Sequence, residues 1–382
     1  MTDLPTNEYL QRIKIMQKKV LENDLDAILV FSTECESGNV RYFTNYWPIF
    51  ETAGLFIPKE GEAILLIGPE TETFAEMHSI LKNYRKLVEF RESSDPSYPD
   101  IKQNTFTDFF KELDPIKKLG IIGSNIITLQ VYEGIKKAIP KAEIKKSDEL
   151  LIEMRMIKTD IELSLLKEAA TIVANGFDAI LGIIKPGMTE IQVRAECEYS
   201  VLSKGAEAIG FMPWCVSGKG TTQAIGRSTS KKIKKGEIIQ ISMGAMVGGY
   251  VSSFNRVITF GKIETEMKKL VDVVLGANEL THQLMKPGAD ASYIAKQREN
   301  FVEKHGMKHF LVYGPAHGIG VMECEFPFIE TVSNFKLVKN MTFSVDNFLA
   351  HPNYGARIED TVAITEYGEE QFAPFHRELI II

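Results

Sequence analysis

The sequence predicts an α+β protein of two domains, a smaller α/β domain over residues 1–155 and a larger domain over residues 156–382. Three observations lead to this prediction. At 382 residues, the chain is longer than a single hydrophobic core usually fills. Its first part alternates strand-like apolar runs with helix-like amphipathic segments, and its second part carries one helix–turn–helix pattern twice. The second domain is therefore expected to have an internal pseudo-twofold repeat.

Short apolar runs and amphipathic segments alternate through the first domain, which is typical of an α/β unit. Pro58 and Gly61 predict a hairpin turn between two of the runs. The predicted strands are residues 27–32, 52–57, 63–67, 87–90 and 119–122, and the predicted helices are residues 8–23, 70–81, 106–113 and 129–139. No glycine pattern suited to binding a phosphate occurs among them, so we expect no chemistry from this domain alone.

The start of the second domain is marked by a helix signal. Thr159 and Glu162 form a capping box, in which each side chain accepts a hydrogen bond from a free backbone N–H. Ile161, Leu165 and Ala169 follow on one face at helical spacing. We therefore place the domain boundary near residue 155.

A weak repeat organises the second domain. Residues 185–187, Lys-Pro-Gly, recur as residues 286–288, and each copy is followed by a helix-capping side chain and, at the same distance, by a glycine suited to end a helix. The capping side chains are Thr189 and Asp290, and the glycines are Gly205 and Gly306. Chance similarity over so short a match is the alternative interpretation.

Each copy leads into a predicted strand pair. In the first, a turn centred between Val247 and Gly248 places Ser242 opposite Ser253 and Gln240 opposite Asn255. Because side chains alternate along a strand, these four uncharged polar groups share one face. That face is either solvated or the floor of a cleft. In the second copy, Asp346 and Glu359 occupy the positions that correspond to Ser242 and Ser253, so one copy carries two hydroxyls where the other carries two carboxylates.

These motifs resemble, as a set, the superfamily of Xaa-Pro dipeptidases, aminopeptidase P, methionine aminopeptidase and creatinase. The residues that carry the resemblance are 316–320 (Ala-His-Gly-Ile-Gly), the strand ending in Asp346, residues 355–361, residues 217–219 and the hairpin 236–261. The resemblance implies an α+β pita-bread catalytic domain behind an α/β creatinase-type N-terminal domain. It also implies a homodimer that acts on a small-molecule substrate.

Peptidases of this family hold two divalent metal ions with two Asp, one His and two Glu. By this resemblance, His317 and Glu359 match family ligands, and Asp346 stands in for a glutamate. Ser242 and Ser253 occupy the two aspartate positions. Only three of the five ligand positions therefore keep a competent side chain.

Two further family histidines act near the substrate, and the resemblance places Ile225 and Cys324 at their positions. Charge also argues against a metal pair, since a neutral hydroxyl is a poor replacement for a carboxylate and uncompensated charge in a buried site is costly. We therefore expect no cofactor. A single Mn or Zn ion on His317, Asp346 and Glu359 remains open.

The catalytic candidates follow from the same comparison with the family. His317 is a candidate general base, oriented by Glu359 or Asp346, with Glu325 or His351 as the acid for the leaving nitrogen. Each has a structural alternative: His317 as a turn histidine, Glu325 as a strand-end surface charge, and His351 as a structural or exposed loop residue.

The remaining candidates bind substrate. Gln240, Ser242, Ser253, Asn255, His351 and Arg357 are predicted to contact it, with Arg357 clamping a substrate carboxylate. Alternatively, Arg357 pairs with Asp360 or Glu359.

Composition and charge exclude several classes of partner. Apolar residues make up 44% of the chain and charged residues 25%, as in an ordinary globular protein. The net charge is −7, and we interpret the short basic cluster at residues 231–235 as a solvated turn, so we expect no nucleic-acid partner. No apolar run approaches the roughly 20 residues of a membrane span, and we expect a cytoplasmic protein with no membrane partner.

Three functions remain open from the sequence. The leading hypothesis is a hydrolase that acts on a C–N bond of a small amino- or guanidino-acid-like molecule without the paired metal centre. The second is an Xaa-Pro dipeptidase or aminopeptidase that uses one metal ion. The third is a non-catalytic descendant that binds a ligand or a partner through the old cleft.

Overall fold

A computed structural model describes residues 4–92 and 104–382, so residues 1–3 and 93–103 of the predicted first domain lie outside the described part of the chain. Two compact units are present, Leu4–Met154 and Arg155–Ile382. The helices of the first unit are α1 (Thr6–Glu22), α2 (Gly38–Thr44), α3 (Glu72–His78), α4 (Phe106–Lys111), α5 (Leu129–Ala138) and α6 (Asp148–Met156). Helix α6 extends two residues beyond Met154, where this unit ends. The strands are β1 (Ala27–Ser32), β2 (Ala53–Pro58), β3 (Ile64–Ile67), β4 (Tyr84–Lys86), β5 (Lys118–Ile122) and β6 (Glu143–Lys146).

The first unit is built around a mixed six-stranded sheet in the order β4-β3-β2-β1-β5-β6. Strand β1 lies near its centre, antiparallel to β2 and parallel to β5, and all six of its residues are buried. Leu29 and Phe31 of β1 point into a core that also contains Phe56, Phe90 and Phe106. Burial on both faces of β1 explains why this strand is a continuous apolar run.

One predicted strand in this unit is wrong. Residues 87–90 were expected to be extended, but Val88–Phe90 form a single turn of 3₁₀ helix. Leu87 and Phe90, three residues apart, are both fully buried, which is helical rather than strand spacing. The strand precedes them as β4, Tyr84–Lys86. The short helices α2 and α6 and the polar edge strand β6 have no apolar run long enough to predict them.

The second unit contains helices α7 (Asp160–Leu181), α8 (Glu190–Ser203), α9 (Thr265–Leu284) and α10 (Ala291–Lys304). Its strands are β7 (Ala208–Ile209), β8 (Trp214–Ser217), β9 (Ile239–Met243), β10 (Ala245–Val247), β11 (Tyr250–Val251), β12 (Phe254–Thr259), β13 (Ala316–Gly318), β14 (Glu325–Ile329), β15 (Thr342–His351), β16 (Tyr354–Ile364), β17 (Glu369–Gln371) and β18 (Ile380–Ile381). The predicted capping box forms at the start of α7, where Thr159 N donates to Glu162 Oε2 at 2.6 Å.

The predicted repeat is visible in the backbone of this unit. Gly187 and Gly288 both have positive φ, 93° and 83°, and each donates its N–H to a distant strand-like segment. Thr189 and Asp290 then cap α8 and α10, helices of equal length, 14 residues. At the centre of a nine-stranded sheet the strands lie in the order β15-β16-β12-β9. The strand pair of the second copy, β15–β16, therefore lies beside the strand pair of the first copy, β9–β12.

The register predicted for the first strand pair is wrong by two residues. Val247 pairs with Tyr250, so the turn is Gly248-Gly249, with φ of 54° and 83°. Two successive positive φ angles are the geometry of a tight hairpin turn that only glycine adopts without strain. As a result Ser242 faces Asn255 rather than Ser253. A shift of two residues preserves which side chains share a face, so the predicted polar face survives.

Helices and the back of the nine-stranded sheet form the core of the second unit. Phe343, Val345 and Val362 point into it from β15 and β16, together with Ile294 of α10. Since neighbouring residues on a strand point to opposite faces, Asp346 and Glu359 point the other way. No helix among the described residues has the length and apolar character that crossing a bilayer demands.

Candidate active site

A row of polar side chains crosses the middle of the nine-stranded sheet. Asp346 of β15 faces Glu359 of β16, Glu359 faces Asn255 of β12, and Asn255 faces Ser242 of β9. All four are buried, with exposures of 6% or less. Side chains directly opposite each other in a sheet lie about 5 Å apart at Cβ. The pseudo-equivalent of Glu359 in this row is Asn255, which corrects the sequence-based match of Glu359 to Ser253.

Glu359 is a buried carboxylate that forms no ion pair with any of the residues that the structure describes. Ser344 donates its hydroxyl to Glu359 Oε1 at 2.6 Å. Burial raises the pKa of Glu359 to about 7, and the negative charges of Asp346 and Glu323 act in the same direction. Glu359 is therefore held where burial and two neighbouring carboxylates oppose its ionisation.

Asp346 is held by Arg357, two residues before Glu359 on β16. Arg357 Nε lies 3.3 Å from Asp346 Oδ1, while its Nη2 donates to Ala224 O at 2.6 Å and to the hydroxyl of Tyr313. The predicted alternative pairing of Arg357 with Asp360 or Glu359 is wrong. A substrate carboxylate would have to displace Asp346, so the predicted clamp role lacks geometric support.

His317 lies at the other side of these carboxylates, on β13. Its Nδ1 is 2.9 Å from Gly318 O, and because a carbonyl only accepts, Nδ1 carries the proton and Nε2 is left to face the cleft. Nε2 lies 3.7 Å from Glu323 Oε1. Burial by itself lowers the pKa of His317, but the hydrogen bond with Cys324 and the charge of Glu323 outweigh it and raise the pKa to about 10.

The structure brings together the three side chains that the sequence singled out as possible ligands. One donor atom from each of His317, Asp346 and Glu359 lies within 4.8 Å of the other two. Asp346 Oδ1 is buried without a hydrogen-bond partner among the described residues. One imidazole and two carboxylates are a donor set that holds a single Zn or Mn ion, so this part of the site fits one divalent cation.

The first strand pair contributes buried polar atoms that also lack partners. Ser242 Oγ, Ser253 Oγ and both side-chain atoms of Asn255 make no hydrogen bond within the described residues. The hydrogen bonds of Ser253 within the described residues are made by its backbone, whose N–H donates to Thr361 Oγ1 at 3.0 Å. Buried polar groups are almost always satisfied, so atoms such as these mark a place where water or a ligand binds. Gln240 differs, because its amide donates to Thr221 O at 3.1 Å.

Glu325 does not have the role predicted for it. Lys158 Nζ lies 2.9 Å from Glu325 Oε1, and Arg155 donates hydrogen bonds from both Nε and Nη2 to Glu325 Oε2. Burial raises the pKa of this carboxyl, but the two cations outweigh burial and lower the pKa below its usual value. Glu325 is thus ionised at neutral pH and has no proton to donate. The alternative of a surface charge is also wrong, since Glu325 is buried.

His351 lies outside the site. It follows Asp346 by five residues on β15, which separates them by about 17 Å along the strand. Its ring stacks on Tyr354 with centroids 4.2 Å apart, and its Nδ1 accepts from Asn353 N at 3.2 Å. This position gives no support to the predictions that His351 protonates a leaving group or contacts substrate, and the ring contacts are those expected of its structural alternative.

Sequence reasoning missed two features of the site. Glu323 was not considered, although Gly318 and Gly320 lie between it and His317 and allow the chain to fold back sharply. Arg155 was considered only as the domain boundary and Lys158 was not considered, because nothing local in the sequence shows that they converge on Glu325, about 170 residues away.

Models of known families match both units of the chain. The creatinase/prolidase N-terminal domain matches residues 12–157, and the metallopeptidase family M24 model matches residues 164–366, more than half of the chain. This chain belongs to metallopeptidase family M24. The predicted fold class, a pita-bread domain behind a creatinase-type N-terminal domain, is confirmed.

Relatives in family M24 extend over nearly the whole chain. The Xaa-Pro dipeptidase of Pyrococcus horikoshii is 28% identical over 368 residues, which cover 95% of this chain and 98% of the relative. The crystal structure of the prolidase from Pyrococcus horikoshii OT3 matches with a TM-score of 0.85 and 26% identity, covering 97% of this chain and 100% of the prolidase. X-Pro aminopeptidase from Thermotoga maritima MSB8 shares the fold, with a TM-score of 0.85 at 23% identity over 97% of this chain and 99% of that one.

Proposed function

We propose that this M24 member is a hydrolase that cleaves the C–N bond of a dipeptide-sized, amino-acid-derived substrate, and that it uses at most one divalent metal ion. The observation that carries the proposal is the convergence of the donor atoms of His317, Asp346 and Glu359 within 4.8 Å beside unpartnered polar atoms. A dipeptide-sized substrate is favoured because the relative of similar length from Pyrococcus horikoshii is an Xaa-Pro dipeptidase.

A paired metal centre does not fit the donor set. Two divalent ions bring four positive charges, and in this row Asp346 and Glu359 are the carboxylates that would balance them. Ser242 and Asn255, which complete the row, are neutral, and so is Ser253. Arg357 at 3.3 Å already neutralises much of Asp346. Holding a second ion against that deficit costs several kcal/mol.

In the proposed reaction, different side chains of the cleft transfer protons, orient the reacting groups and bind the metal ion. His317 donates its Nδ1 proton to Gly318 O, which leaves Nε2 to face the cleft. Because the pKa of His317 is raised to about 10, Nε2 carries a proton at neutral pH and is the candidate proton donor, whereas Glu359, whose pKa is raised to about 7, is the candidate general base. Ser344 holds Glu359 at 2.6 Å and so orients it beside His317. A single ion on His317, Asp346 and Glu359 would add Lewis acidity toward the substrate carbonyl.

The leaving nitrogen needs a proton and a place to bind. Because Glu325 is neutralised by two cations, the proton must come from a group on the cleft floor, and His317 and Glu359 are positioned there. The unpartnered Ser242 hydroxyl and Asn255 amide provide neutral donors and acceptors for the amide or amino group of a substrate.

Turnover and metal content of two matched histidine variants test this proposal. We expect purified wild-type protein to hydrolyse members of a panel of Xaa-Pro dipeptides, other dipeptides, creatine and amino-acid amides, and His317→Ala to lose about 100-fold or more in kcat/KM. His351→Ala, on the same sheet but outside the cleft, serves as the control and retains activity. Binding without turnover, or equal activity in both variants, would favour a non-catalytic descendant.

A further inference from the structure

The chain between β13 and β14 folds back onto His317. Gly318 pairs with both Phe343 of β15 and Glu325 of β14, and the β13–β14 register shifts between His317 and Gly318. This irregularity brings the short connection 319–324 beside the imidazole. A β-bulge next to a functional side chain is a common device for re-aiming it.

Two side chains of this connection form a second donor cluster with His317. One donor atom each of His317, Glu323 and Cys324 lies within 4.8 Å of the other two. Glu323 Oε1 is 3.7 Å from Nε2 of the ring. Cys324 is exposed and unoxidised, so its sulfur is open to an ion that enters from solvent. This cluster shares His317 with the cluster of Asp346 and Glu359.

Both clusters converge on one nitrogen of one imidazole. Nδ1 is occupied by Gly318 O, so only Nε2 can bind an ion, and the two clusters cannot each hold a separate ion through it. Asp346 belongs to the other cluster around His317, and its Oδ1 already faces Arg357 Nε at 3.3 Å.

We propose that Cys324 and Glu323 are ligands of the single divalent cation bound at His317, which gives this chain a thiolate-containing metal site. The inference rests on the single-ion form of the proposed function, and it does not depend on turnover. On binding the ion, Cys324 would release its thiol proton to solvent and ligate through sulfur, beside Glu323 and Nε2 of His317. Thiolate and imidazole donors favour Zn²⁺ over Mn²⁺, so the site is expected to select zinc.

Cobalt binding tests the sulfur ligand directly. Metal-free wild-type protein, kept reduced with a phosphine, is titrated with Co²⁺ alone, and a sulfur-to-cobalt charge-transfer band is expected in the near ultraviolet. Cys324→Ser should abolish the band and weaken Co²⁺ binding by at least about tenfold. Cys35→Ser, which removes the other exposed cysteine, is the matched control and should leave both unchanged.

A conservative variant separates ligation from a structural role. Cys324→His replaces sulfur by nitrogen, so it should restore Co²⁺ affinity without restoring the sulfur band. Glu323→Gln should weaken Co²⁺ binding while the band remains at saturation. Circular dichroism and thermal melting of each variant confirm that it is folded.

The outcomes distinguish this inference from the proposed function. If wild type binds one Co²⁺ without a sulfur band, and Cys324→Ser binds equally well, the thiolate site is overturned and the ion on His317, Asp346 and Glu359 stands. If wild type binds no Co²⁺, the thiolate site is likewise overturned, and the turnover of His317→Ala then decides whether a metal-free hydrolase remains.

Discussion

The two strand pairs of the second unit occupy equivalent places in one sheet but carry opposite chemistry. The pair β15–β16 contributes Asp346 and Glu359, whereas the pair β9–β12 contributes Ser242 and Asn255 at the matching register. The helices that accompany them begin with the same Lys-Pro-Gly turn and are capped in the same way. The scaffold has thus remained symmetric while the charge has not.

This difference shows that backbone signals and site chemistry vary independently. Positive-φ glycines, capping side chains and strand alternation maintain the fold in both halves, and none of them involves the polar row. One strand pair carries the neutral Ser242 and Asn255 where the other carries the acids Asp346 and Glu359. This difference changes how much positive charge the cleft can hold. The predictions below break or sharpen this comparison, from the largest expected effect to the smallest.

A buried ion pair on the back of the sheet ties the two halves together. Arg256 of β12 donates to Asp360 of β16 at 2.6 Å, and both are at most 1% exposed. Asp360→Asn should lower the free energy of unfolding by about 3–5 kcal/mol, since it leaves a buried guanidinium without its anion. The control is Asp272→Asn, which breaks the exposed pair with Lys268 and should cost about 0.5 kcal/mol or less. If denaturant titrations showed that Asp360→Asn and Asp272→Asn lower the free energy of unfolding equally, the buried Arg256–Asp360 pair would not contribute more to stability than an exposed pair.

Placing acids at Ser242 and Ser253, the two positions that the family resemblance assigns to aspartate ligands, should restore the negative charge that a second ion needs. Ser242→Asp combined with Ser253→Asp should raise the bound metal from a single ion per chain to two, measured by elemental analysis after equilibration with Mn²⁺. At a Mn²⁺ concentration about 100 times the Kd of the second site, binding there should raise the free energy of unfolding of the variant by about 2.7 kcal/mol more than Mn²⁺ raises that of the wild type. The matched control, Ser242→Asn with Ser253→Asn, has nearly the same shape without the charge and should gain neither. A second ion in the wild type itself would overturn the charge argument.

His282 of α9 extends the ion pair on the back face and should make its stability depend on pH. Its Nδ1 lies 3.1 Å from Glu369 Oε1 and its Nε2 3.6 Å from Asp360 Oδ2. Burial lowers the pKa of His282, but the two carboxylates outweigh burial and raise it above the usual 6.5. The stabilising contribution is therefore complete below the unfolded-state pKa and is lost as pH rises through the folded-state pKa.

The comparison of wild type with His282→Gln measures that contribution. The difference in unfolding free energy should shrink as the pH rises above 6.5 and through the raised folded-state pKa, because wild-type His282 then loses its proton. A difference that grows with pH would show that His282 is neutral in the folded protein.

The turn that sets the register of the neutral half gives the smallest effect. Gly249→Ala places a side chain at φ of 83° and should cost about 1–2 kcal/mol in thermal or chemical unfolding. Gly368→Ala is the control, since no atom lies within 4 Å of the added methyl group and the backbone there is not left-handed. Equal stability of both variants would mean that the hairpin does not depend on its turn.

The local signals of the chain predicted much of the fold. The buried strand at residues 27–32, the capping box at Thr159 and the two Lys-Pro-Gly turns all lie where the sequence places them. Each is determined by a few neighbouring residues, so no distant contact is needed to specify it. The 3₁₀ turn at Val88–Phe90 was missed because a short apolar run fits a strand and a helical turn equally well.

The site was predicted only in part. His317, Asp346 and Glu359 were found because they belong to motifs shared with the M24 family, and the structure brings them together. The structure gives no support to the roles predicted for Glu325 and His351, since Glu325 is paired with Arg155 and Lys158, and His351 lies about 17 Å along the strand from Asp346. Sequence spacing alone contains neither fact.

The amino-acid sequence by itself determined the two-domain plan, the repeat and the neutral polar residues of the first strand pair, because each depends on residue type and local spacing. Only the tertiary structure decided that Ser242 faces Asn255, that Glu325 is bound by two cations, and that Glu323 and Cys324 meet His317. The reason is physical: electrostatic interaction and metal coordination depend on distances of a few ångströms between atoms. Those distances are set by strand register and chain reversal, which local sequence signals leave open.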